Sequence, residues 1–594
     1  MSSAADSYVY EKSVSSDAKV FQEPVFAKKR WLKVQDVNYG SYSNGNIVRF
    51  NLENVLAPAG AMLSLGELEV DIPLVAVVSS TTANAFTLGQ CDQILGLKNG
   101  YASSLINNMV LTADGCTVVE STPGLEGLIH YRLMNQYSTG ERDVYGGSYG
   151  FYPDGNEWRY VNAAGQGLIN NYVNIPESMG GNIGLQHRTK KCRNFVAAAQ
   201  AFGRDLVMSS ATLRQEASDS VLYDMTPGPS CSWVAYYIMA SFRLADISDV
   251  FSQMPLTAGL RGVLELTLNL GASTFTMDTQ ANSRTLVATG SNFVNGSCPF
   301  MITNPALGTS GNQVYPAQYD SVAIIPQVLK TAVEAQGAYG WKPNTNAAIA
   351  LNATIAIGAP SAATQYVAGV NGQLYPPAHR LQQCWLRVPY VHVAPDLLSS
   401  YLSSGRQTLV NYSGVKRMLF SAQQPGNTIN ALIQASIQNP LFLLICCYYT
   451  NGGANVALPS ALSPWSCAPA CPDPVVLGNF NVSINGEWIY GQNTLYTREQ
   501  FDIEQKEAAG ILNGGQGHAL VSGLISERAF TCGQHSYYYV NLARRYVDSK
   551  APCNIQLTCV NQSLLPIDLV CFTGFKRELM CDVMTGTITT NVQA

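Results

Sequence analysis

A weak internal repeat is the feature of this 594-residue chain that most constrains its fold. Three strand-like segments of the first half recur in the same order in the second half. The matched segments are 46–53 with 415–420, 67–77 with 437–445, and 108–119 with 480–490. A loop containing Pro and Gly follows the first segment in both halves, and the third segment is a hairpin in both. This order predicts two copies of one β-fold.

Three landmarks place the two copies at nearly one offset. The separations are 368 residues from Arg49 to Arg417, 367 from Pro73 to Pro440 and 371 from Gly115 to Gly486. Gly115 and Gly486 complete an Asp-Gly and an Asn-Gly pair, which are preferred in two-residue hairpin turns because both positions must tolerate positive φ. The shared offset of a strand, a proline and a turn supports the repeat.

The first copy is much longer than the second. Segment 261–269 resembles 554–561, and 384–391 resembles 567–572, so the closing strands correspond. From the hairpin glycine to the Asn that ends the first of these strands, the first copy spans 154 residues (115 to 269) and the second 75 (486 to 561). A further long stretch separates 269 from 384. The excess predicts two insertions in the first copy, at about 122–233 and 270–383.

Composition indicates an all-β class with minor helix. The 50 Gly and 31 Tyr residues are typical of many short strands joined by turns. A chain of this length exceeds a single hydrophobic core, so at least two domains are expected. Periodicity predicts only short helices, at 125–136, 247–254 and 498–509.

Charged residues make up only 13% of the chain, about half the share of near 25% that is usual in soluble domains. A free monomer so poor in charge would be badly solvated, so much of its surface is expected to face other copies of itself. The net charge of −5 argues against a main role in wrapping nucleic acid, since phosphate neutralisation needs a basic protein. The basic clusters at 28–30 and 544–545 are interpreted as solvated faces.

The 15 cysteines are scattered. The N-terminus has no apolar core of the length that a secretory signal needs, and the longest apolar run, 441–449, is much shorter than the roughly 20 residues of a membrane helix. We therefore expect a soluble chain made in the cytoplasm, with most cysteines buried as small hydrophobes. Cys467 and Cys471 are the nearest approach to a metal-ligand pair, which His518, Cys532 and His535 could complete, but no second short-spaced pair exists. Five Asn-x-Ser/Thr sequences are interpreted as chance occurrences: Asn295, Asn352, Asn411, Asn481 and Asn561.

No motif for catalysis stands out. The sequence has no phosphate-binding loop, and its six histidines are isolated. Cys192 lies between Lys191 and Arg193, which favour its thiolate, but no base is placed beside it. Glu265 and Asp502 are candidates for a pair of sugar-hydrolysing carboxylates, although nothing in the sequence brings them together. The sequence therefore predicts no catalytic, cofactor-binding or metal-ligating residue.

Several stretches resemble double jelly-roll major capsid proteins. Segment 242–256, followed by 264–269, resembles the end of the first jelly roll in that family, where a short helix and a Pro-Leu step lead into a strand. Segments 526–530, 537–544 and 572–578 resemble the end of the second jelly roll. The similarity is to capsid proteins of polinton-like viruses and virophages, within the adenovirus-hexon-like lineage.

The resemblance, which covers roughly 31–585, implies a fold and a division of the chain. The fold class is all-β, with two tandem jelly-roll β-sandwiches, short helices and long loop insertions in the first. The implied units are an N-terminal arm (1–30), a first jelly roll with both insertions (31–395), and a second jelly roll with a C-terminal tail (396–594). The insertions are expected largely outside the first sandwich, at the outer end of the particle tile and along subunit contacts.

The resemblance also implies a structural function without an enzyme activity or a cofactor. Three subunits would form a pseudo-hexagonal homotrimer, and such tiles would pave an icosahedral shell around a double-stranded DNA genome. The implied partners are other copies of the chain, penton proteins and minor capsid proteins, with no specific nucleic-acid recognition and with membrane contact left open. The implied location is the virion, assembled in the host cytoplasm or a viral factory.

Two other classes remain alternatives at this stage. A glycan-binding viral spike or a secreted β-sandwich lectin would carry exposed aromatic residues around a pocket and form small oligomers. A β-sandwich glycosidase would need two close carboxylates with separated pKa values. Shells or hexagonal plates in an electron micrograph would favour the capsid protein over both.

We predict that most thiols are free, because the cysteines are odd in number, scattered and unaccompanied by an export signal. Non-reducing mass spectrometry of intact particles should find few disulfides. A full, regular set of disulfides would contradict assembly in the cytoplasm.

Overall fold

The computed structural model describes the strands and helices of two β-sandwiches and parts of their connections. The described residues are 26–37, 47–53, 55–80, 95–97, 99–100, 102, 105–113, 116–121, 123–146, 149–152, 158–160, 172–174, 193–196, 233–268, 273–278, 285–289, 300–302, 349–357, 384–395, 398–399, 401, 407–449, 475–512, 525, 537–543, 551–562 and 566–590.

The first sandwich and its insertions contain nineteen strands among these residues. They are β1 (Phe26–Gln35), β2 (Ile47–Asn51), β3 (Val55–Leu56), β4 (Ala61–Leu63), β5 (Glu69–Ser80), β6 (Leu95–Leu97), β7 (Ile106–Ala113), β8 (Cys116–Glu120), β9 (Trp158–Tyr160), β10 (Tyr172–Asn174), β11 (Arg193–Val196), β12 (Trp233–Arg243), β13 (Gly259–Leu260), β14 (Val263–Leu268), β15 (Ser273–Asp278), β16 (Thr285–Thr289), β17 (Phe300–Ile302), β18 (Ile349–Ile357) and β19 (Trp385–Val393).

The second sandwich contains nine described strands, and the helices are few and short. The strands are β20 (Gln407–Gln423), β21 (Thr428–Ile437), β22 (Pro440–Tyr449), β23 (Leu477–Ile484), β24 (Glu487–Trp488), β25 (Tyr537–Asn541), β26 (Cys553–Asn561), β27 (Ile567–Asp582) and β28 (Ile588–Thr590). The helices are α1 (Glu126–Gln136), α2 (Thr139–Glu141), α3 (Leu244–Ile247), α4 (Val250–Gln253) and α5 (Arg498–Leu512), with a 3₁₀ turn at Leu65–Glu67 and a π-helical turn at Arg142–Gly146.

The two sandwiches share one strand order. In the first, β1, β19, β5 and β12 are neighbours in one sheet, and β2, β14, β7 and β8 form the other. In the second, the corresponding sheets are β20, β27, β22, β25 and β21, β26, β23, β24. Counted along the eight principal strands of each sandwich, both read first-eighth-third-sixth and second-seventh-fourth-fifth. This antiparallel, eight-stranded double sheet is a jelly roll, so the predicted double jelly-roll fold is confirmed.

Alternating burial explains why these segments are strands. Along β14 every second side chain is buried, and β2 and β26 show the same period of two. Successive side chains of a strand point to opposite faces, so one face of each sheet builds the interior and the other does not. Val48 and Phe50 of β2 and Leu266 of β14 are fully buried in this way.

Two of the three sequence landmarks are wrong as residue matches. Arg49 lies on β2, a second strand, whereas Arg417 lies on β20, a first strand. Pro73 and Pro440 both lie on third strands but at different depths along them. A strand followed by a Pro/Gly loop recurs many times in a jelly roll. A match based on this pattern alone can therefore be wrong by a whole strand or by several residues. The hairpin landmark holds, because Gly486 joins a fourth strand to a fifth and position 115 lies between β7 and β8.

Other boundaries also differ from the prediction. The first strand starts at Phe26, inside the segment expected to be an arm. The helix expected over 247–254 is two one-turn helices, α3 and α4, because the chain is extended at Ser248. The predicted helices at 125–136 and 498–509 are confirmed as α1 and α5.

Three described strands of the second insertion, β15, β16 and β18, extend one sheet of the first sandwich, whereas β9 and β10 of the first insertion pair with each other. For the rest of both insertions, a position largely outside the sandwich stays a prediction. Strand β19 pairs with β5 only along Glu69–Asp71, while β18 pairs with the same strand along Leu74–Ser80. Strands β15 and β16 continue the sheet beyond β18. The physical reason is that β5 has twelve residues, and its backbone groups beyond β19 still need hydrogen-bond partners.

Backbone hydrogen bonds join the two sandwiches near the end of β27. The amide of Ala258 donates to the carbonyl of Val583 at 2.8 Å, and the amide of Arg261 donates to Gly586 at 3.3 Å. Gly586 has φ +67°, and a Cβ there would collide with the backbone carbonyl of Gly259. The buried apolar residues of both sandwiches form one contiguous cluster.

We predict that Gly586→Ala destabilises the chain more than Gly426→Ala. Gly426 also has positive φ, at +78°, but nothing lies within 4 Å of its missing Cβ. The control should therefore lose only the backbone preference, about 1 kcal/mol, whereas Gly586→Ala adds a steric clash and should lose roughly 3 kcal/mol. Urea unfolding measures both. Equal losses of stability in the two variants would contradict close packing between the sandwiches at Gly586.

Candidate assembly surfaces

Helix α1 connects the first sandwich to the second. The Tyr131 ring meets Tyr537 edge-to-face with centroids 5.1 Å apart, and stacks on Tyr539 at 5.5 Å. Both partners lie on β25, the sixth strand of the second sandwich. The side-chain amide of Gln505 on α5 donates to the Tyr131 hydroxyl, and burial raises the pKa of Tyr131 well above its ordinary value. Each aromatic pair contributes about 0.5–1.5 kcal/mol beyond the area it buries.

The position of α1 follows from its sequence. Leu128, Ile129, Leu133 and Met134 recur at helical spacing and are all buried. Tyr131 is also buried, so buried side chains lie around most of the helix circumference. A helix that is covered on one side only would expose its other face. Helix α1 is therefore an interior element, held between two sandwiches.

A polar contact accompanies the aromatic one. The Asp249 carboxylate, between α3 and α4, accepts hydrogen bonds from the backbone N–H of Ser413 at 3.0 Å and from its hydroxyl. Ser413 lies on β20, the first strand of the second sandwich. The Tyr401 hydroxyl donates to the carbonyl of Leu256 at 3.0 Å. The first sandwich thus presents its helices, and the second presents its first and sixth strands.

Buried charges in the first sandwich are compensated by arginines. Arg387 forms ion pairs with Asp71 at 2.5 Å and with Glu69 at 3.3 Å. The Ser241 hydroxyl donates to Asp71 at 2.6 Å, and the Tyr149 hydroxyl donates to Glu69. The charges of both carboxylates are thus compensated within the fold.

Arg243 and Asp246 form a further ion pair, with 2.9 Å between a guanidinium nitrogen and a carboxylate oxygen. Burial raises the pKa of Asp246, while the charge of Arg243 opposes that rise. The Arg243 guanidinium also lies over the rings of Tyr137 and Tyr149, at 5.6 and 5.4 Å. The raised pKa of Asp246 therefore has its cause in burial within this cluster.

The candidate sugar-hydrolysing carboxylates do not form a pair. Glu265 lies on β14 of the first sandwich, in an ion pair with Arg49. Asp502 lies on α5 of the second sandwich, in an ion pair with Arg498 at 2.9 Å. Each carboxylate has its own arginine partner on its own sandwich.

Several of the remaining candidates from the sequence lie outside the described residues: His187, Cys192, His379, Cys467, Cys471, His518, Cys532 and His535. Within the described part of the chain, no group of three His, Cys, Asp or Glu side chains could hold a metal, and no helix is long and apolar enough to span a membrane. Asn481 and Asn561 are buried, which supports the interpretation of their sequons as chance occurrences.

The thiols that the structure describes are free and buried, as predicted. They are Cys384, Cys446, Cys447, Cys553, Cys559, Cys571 and Cys581. Burial raises the pKa of Cys559 to about 12 and that of Cys581 to about 11. Such thiols pack as small apolar side chains and carry no nucleophile.

Large apolar side chains are exposed on both sandwiches. Trp31 on β1 is 42% exposed, and Ile503 on α5 is 50% exposed. Leu495 and Trp488, which precede α5 in the chain, are exposed as well. Sequence reasoning missed these residues. The available signal was an apolar side chain inside a charged run, as in Lys-Arg-Trp-Leu-Lys and Phe-Asp-Ile-Glu.

No protein-family model matches the sequence, and no curated protein matches it significantly. Among solved structures, the chain is similar to a chain of the Sputnik virophage structure, with TM-score 0.48, 9% identity and coverage of 98% of this chain and 92% of that one. It is similar to the mavirus major capsid protein with TM-score 0.41, 11% identity and coverage of 99% and 94%. For the Faustovirus major capsid protein the values are 0.37, 8%, 96% and 94%.

Viral major capsid proteins are thus among the solved structures to which the chain is similar. These similarities extend over nearly the whole chain. The fold itself is established by the strand order of the two sandwiches, independently of any comparison.

We predict that the unfolding free energy falls as the pH rises from about 9 towards 12. The unfolded Cys559 thiol ionises near 9.0 and the folded one near 12, so its contribution is fully present below pH 9 and is lost above it. The slope for one thiol is at most about 1.4 kcal/mol per pH unit. Urea unfolding of the wild type and Cys559→Ala at several pH values should give a shallower fall for the variant. Identical slopes would contradict the raised pKa.

Proposed function

We propose that this chain is a major capsid protein, which self-associates into pseudo-hexagonal homotrimers that tile an icosahedral shell around a double-stranded DNA genome. The observation that carries the proposal is the contact between two sandwiches of identical strand order through unlike faces. Helices α1 and α4 of the first sandwich meet strands β20 and β25 of the second.

A contact between unlike faces supports ring formation. When one unit uses one face and its neighbour a different face, repetition continues around a ring and closes where the rotation permits. Two similar sandwiches in each chain allow three chains to supply six similar units. The outcome of such closure is a tile with threefold symmetry and a nearly sixfold outline.

Composition supports the same proposal. Charged residues are only 13% of the chain, and a surface so poor in charge favours association over a free monomer. The acidic balance favours a shell that surrounds nucleic acid without specific recognition of it. The two candidate sugar-hydrolysing carboxylates, Glu265 and Asp502, each pair with an arginine on different sandwiches, which favours a structural role over an enzymatic one.

The partners that follow are other copies of the chain, with penton and minor capsid proteins at the special positions of the shell. The location that follows is the virion, after synthesis and assembly in the host cytoplasm or a viral factory. Neither part of the proposal requires a cofactor.

Light scattering on the purified protein should give a mass three times 64.1 kDa. Electron microscopy of concentrated protein should show shells or hexagonal plates. A stable monomer at micromolar concentration, with no assembled form, would overturn the proposal. Small defined oligomers that bind glycans and never form plates would favour the lectin alternative.

A further inference from the structure

We infer that the outer face of α5, centred on Ile503, docks on the first-strand edge of the first sandwich of a second copy, centred on Trp31. This inference rests on the proposed capsid function and assigns the contact surfaces that it requires. Its basis is a comparison of two sets of surfaces. One set holds the two sandwiches of a chain together, and the other consists of the equivalent surfaces that remain exposed.

Helices α1 and α5 occupy the same place in the two jelly rolls. Each follows the fifth strand of its sandwich and precedes the sixth. Each also touches the last residue of that sixth strand. Tyr137, which ends α1, accepts a hydrogen bond from Arg243 at 3.5 Å, and Glu504 of α5 accepts one from the backbone N–H of Asn541 at 2.8 Å.

The two helices differ in what covers them. Most of the described side chains of α1 are buried and the others are part-exposed, because the second sandwich covers the helix through Tyr537 and Tyr539. On α5, Phe501 and Glu504 are buried against its own sandwich, whereas Ile503 is half-exposed. The equivalent helix thus has a covered outer face in one sandwich and an open apolar one in the other.

The receiving surface can be located by matching backbone hydrogen bonds. The amide of Leu244 donates to the carbonyl of Leu68, and the amide of Leu542 donates to Leu441, both at 2.9 Å. In each sandwich this bond links the residue after the sixth strand to the residue at the start of the third. Leu68 is therefore the counterpart of Leu441.

The next residue along each third strand extends the match to the eighth strand. Glu69 follows Leu68 and pairs with Arg387, and Phe442 follows Leu441 and pairs with Gly574. Arg387 and Gly574 are consequently counterparts.

These eighth-strand residues pair with Lys33 on β1 and Val415 on β20, which are counterparts in turn. Two residues earlier on each first strand lie Trp31 and Ser413. Ser413 is the residue through which the second sandwich binds Asp249 of the first. Trp31, exposed on the first sandwich, therefore lies on the first strand, whose counterpart β20 receives the α3–α4 segment inside the chain, while α1 itself contacts β25.

The two open surfaces also match in charge. Around Trp31, strand β1 exposes Lys28 and Arg30, while Lys29 pairs with Glu67. Around Ile503, α5 exposes Glu499, while Asp502 pairs with Arg498. A basic strand and an acidic helix face attract one another, and each has an apolar side chain at its centre. A second copy of the same chain supplies both, so it is the occupant we assign to each surface.

The test uses Trp31→Asp and Ile503→Asp in the full-length protein, with Leu432→Asp as the matched control. Leu432 is 52% exposed but lies on β21, in the other sheet of the second sandwich. Light scattering over a dilution series should show at least a ten-fold rise in the concentration at which each test variant forms trimers. The control should assemble like the wild type.

Mixing the two test variants sharpens the test. Each variant alone lacks one half of the contact, but a mixed pair retains one intact contact, between Ile503 of the first variant and Trp31 of the second. The mixture should therefore form a complex of twice 64.1 kDa, although neither variant does so alone. A like-with-like contact would instead leave one variant able to dimerise by itself.

The outcomes separate this inference from the proposed function. A wild type that stays monomeric overturns the capsid proposal. A wild-type trimer whose two Asp variants assemble at unchanged concentration overturns the assigned surfaces alone, as does a mixture that yields no pair. Circular dichroism verifies that each variant keeps its strands. Where an Asp variant loses them, Trp31→Ala or Ile503→Ala takes its place with the same expected direction.

Discussion

The packing of α1 between two β-sandwiches is the contact on which the rest of the molecule depends. Tyr131 places one helix of the first sandwich against the aromatic sixth strand of the second. Together with the backbone hydrogen bonds near the end of β27 and the contact of Asp249 with Ser413, this contact sets the position of one jelly roll against the other. With it, the apolar interiors of both sandwiches merge into one cluster, and the chain acts as a single building block.

Several carboxylates of the interior have partners that are distant from them in sequence. Arg387 offsets Asp71 and Glu69, and Glu504 accepts from the backbone of Asn541 and from the Tyr490 hydroxyl. These arrangements lie between strands and helices that are distant in sequence, so they form only when the sandwiches close. They favour a single register over the many that a strand-rich chain could adopt.

Sequence reasoning reached the class, the repeat and two of the helices, because those depend on local periodicity and turn residues. It misplaced the register, since Arg49 and Arg417 share a local pattern but lie on strands of different rank. It also placed the second insertion outside the sandwich, although β18 pairs with β5. Sequence reasoning did not identify Trp31 and Ile503, because their significance depends on which elements the other sandwich covers. That coverage is decided by packing between distant segments.

The two copies share a strand order and differ in their surfaces. The strand order is the same in both, since it is fixed by the closure of the two sheets. Helix α1 is interior, whereas its counterpart α5 keeps Ile503 half-exposed. The contact between the sandwiches covers one face of each and leaves Trp31 and Ile503 open. These open surfaces are the ones that we propose join one molecule to the next.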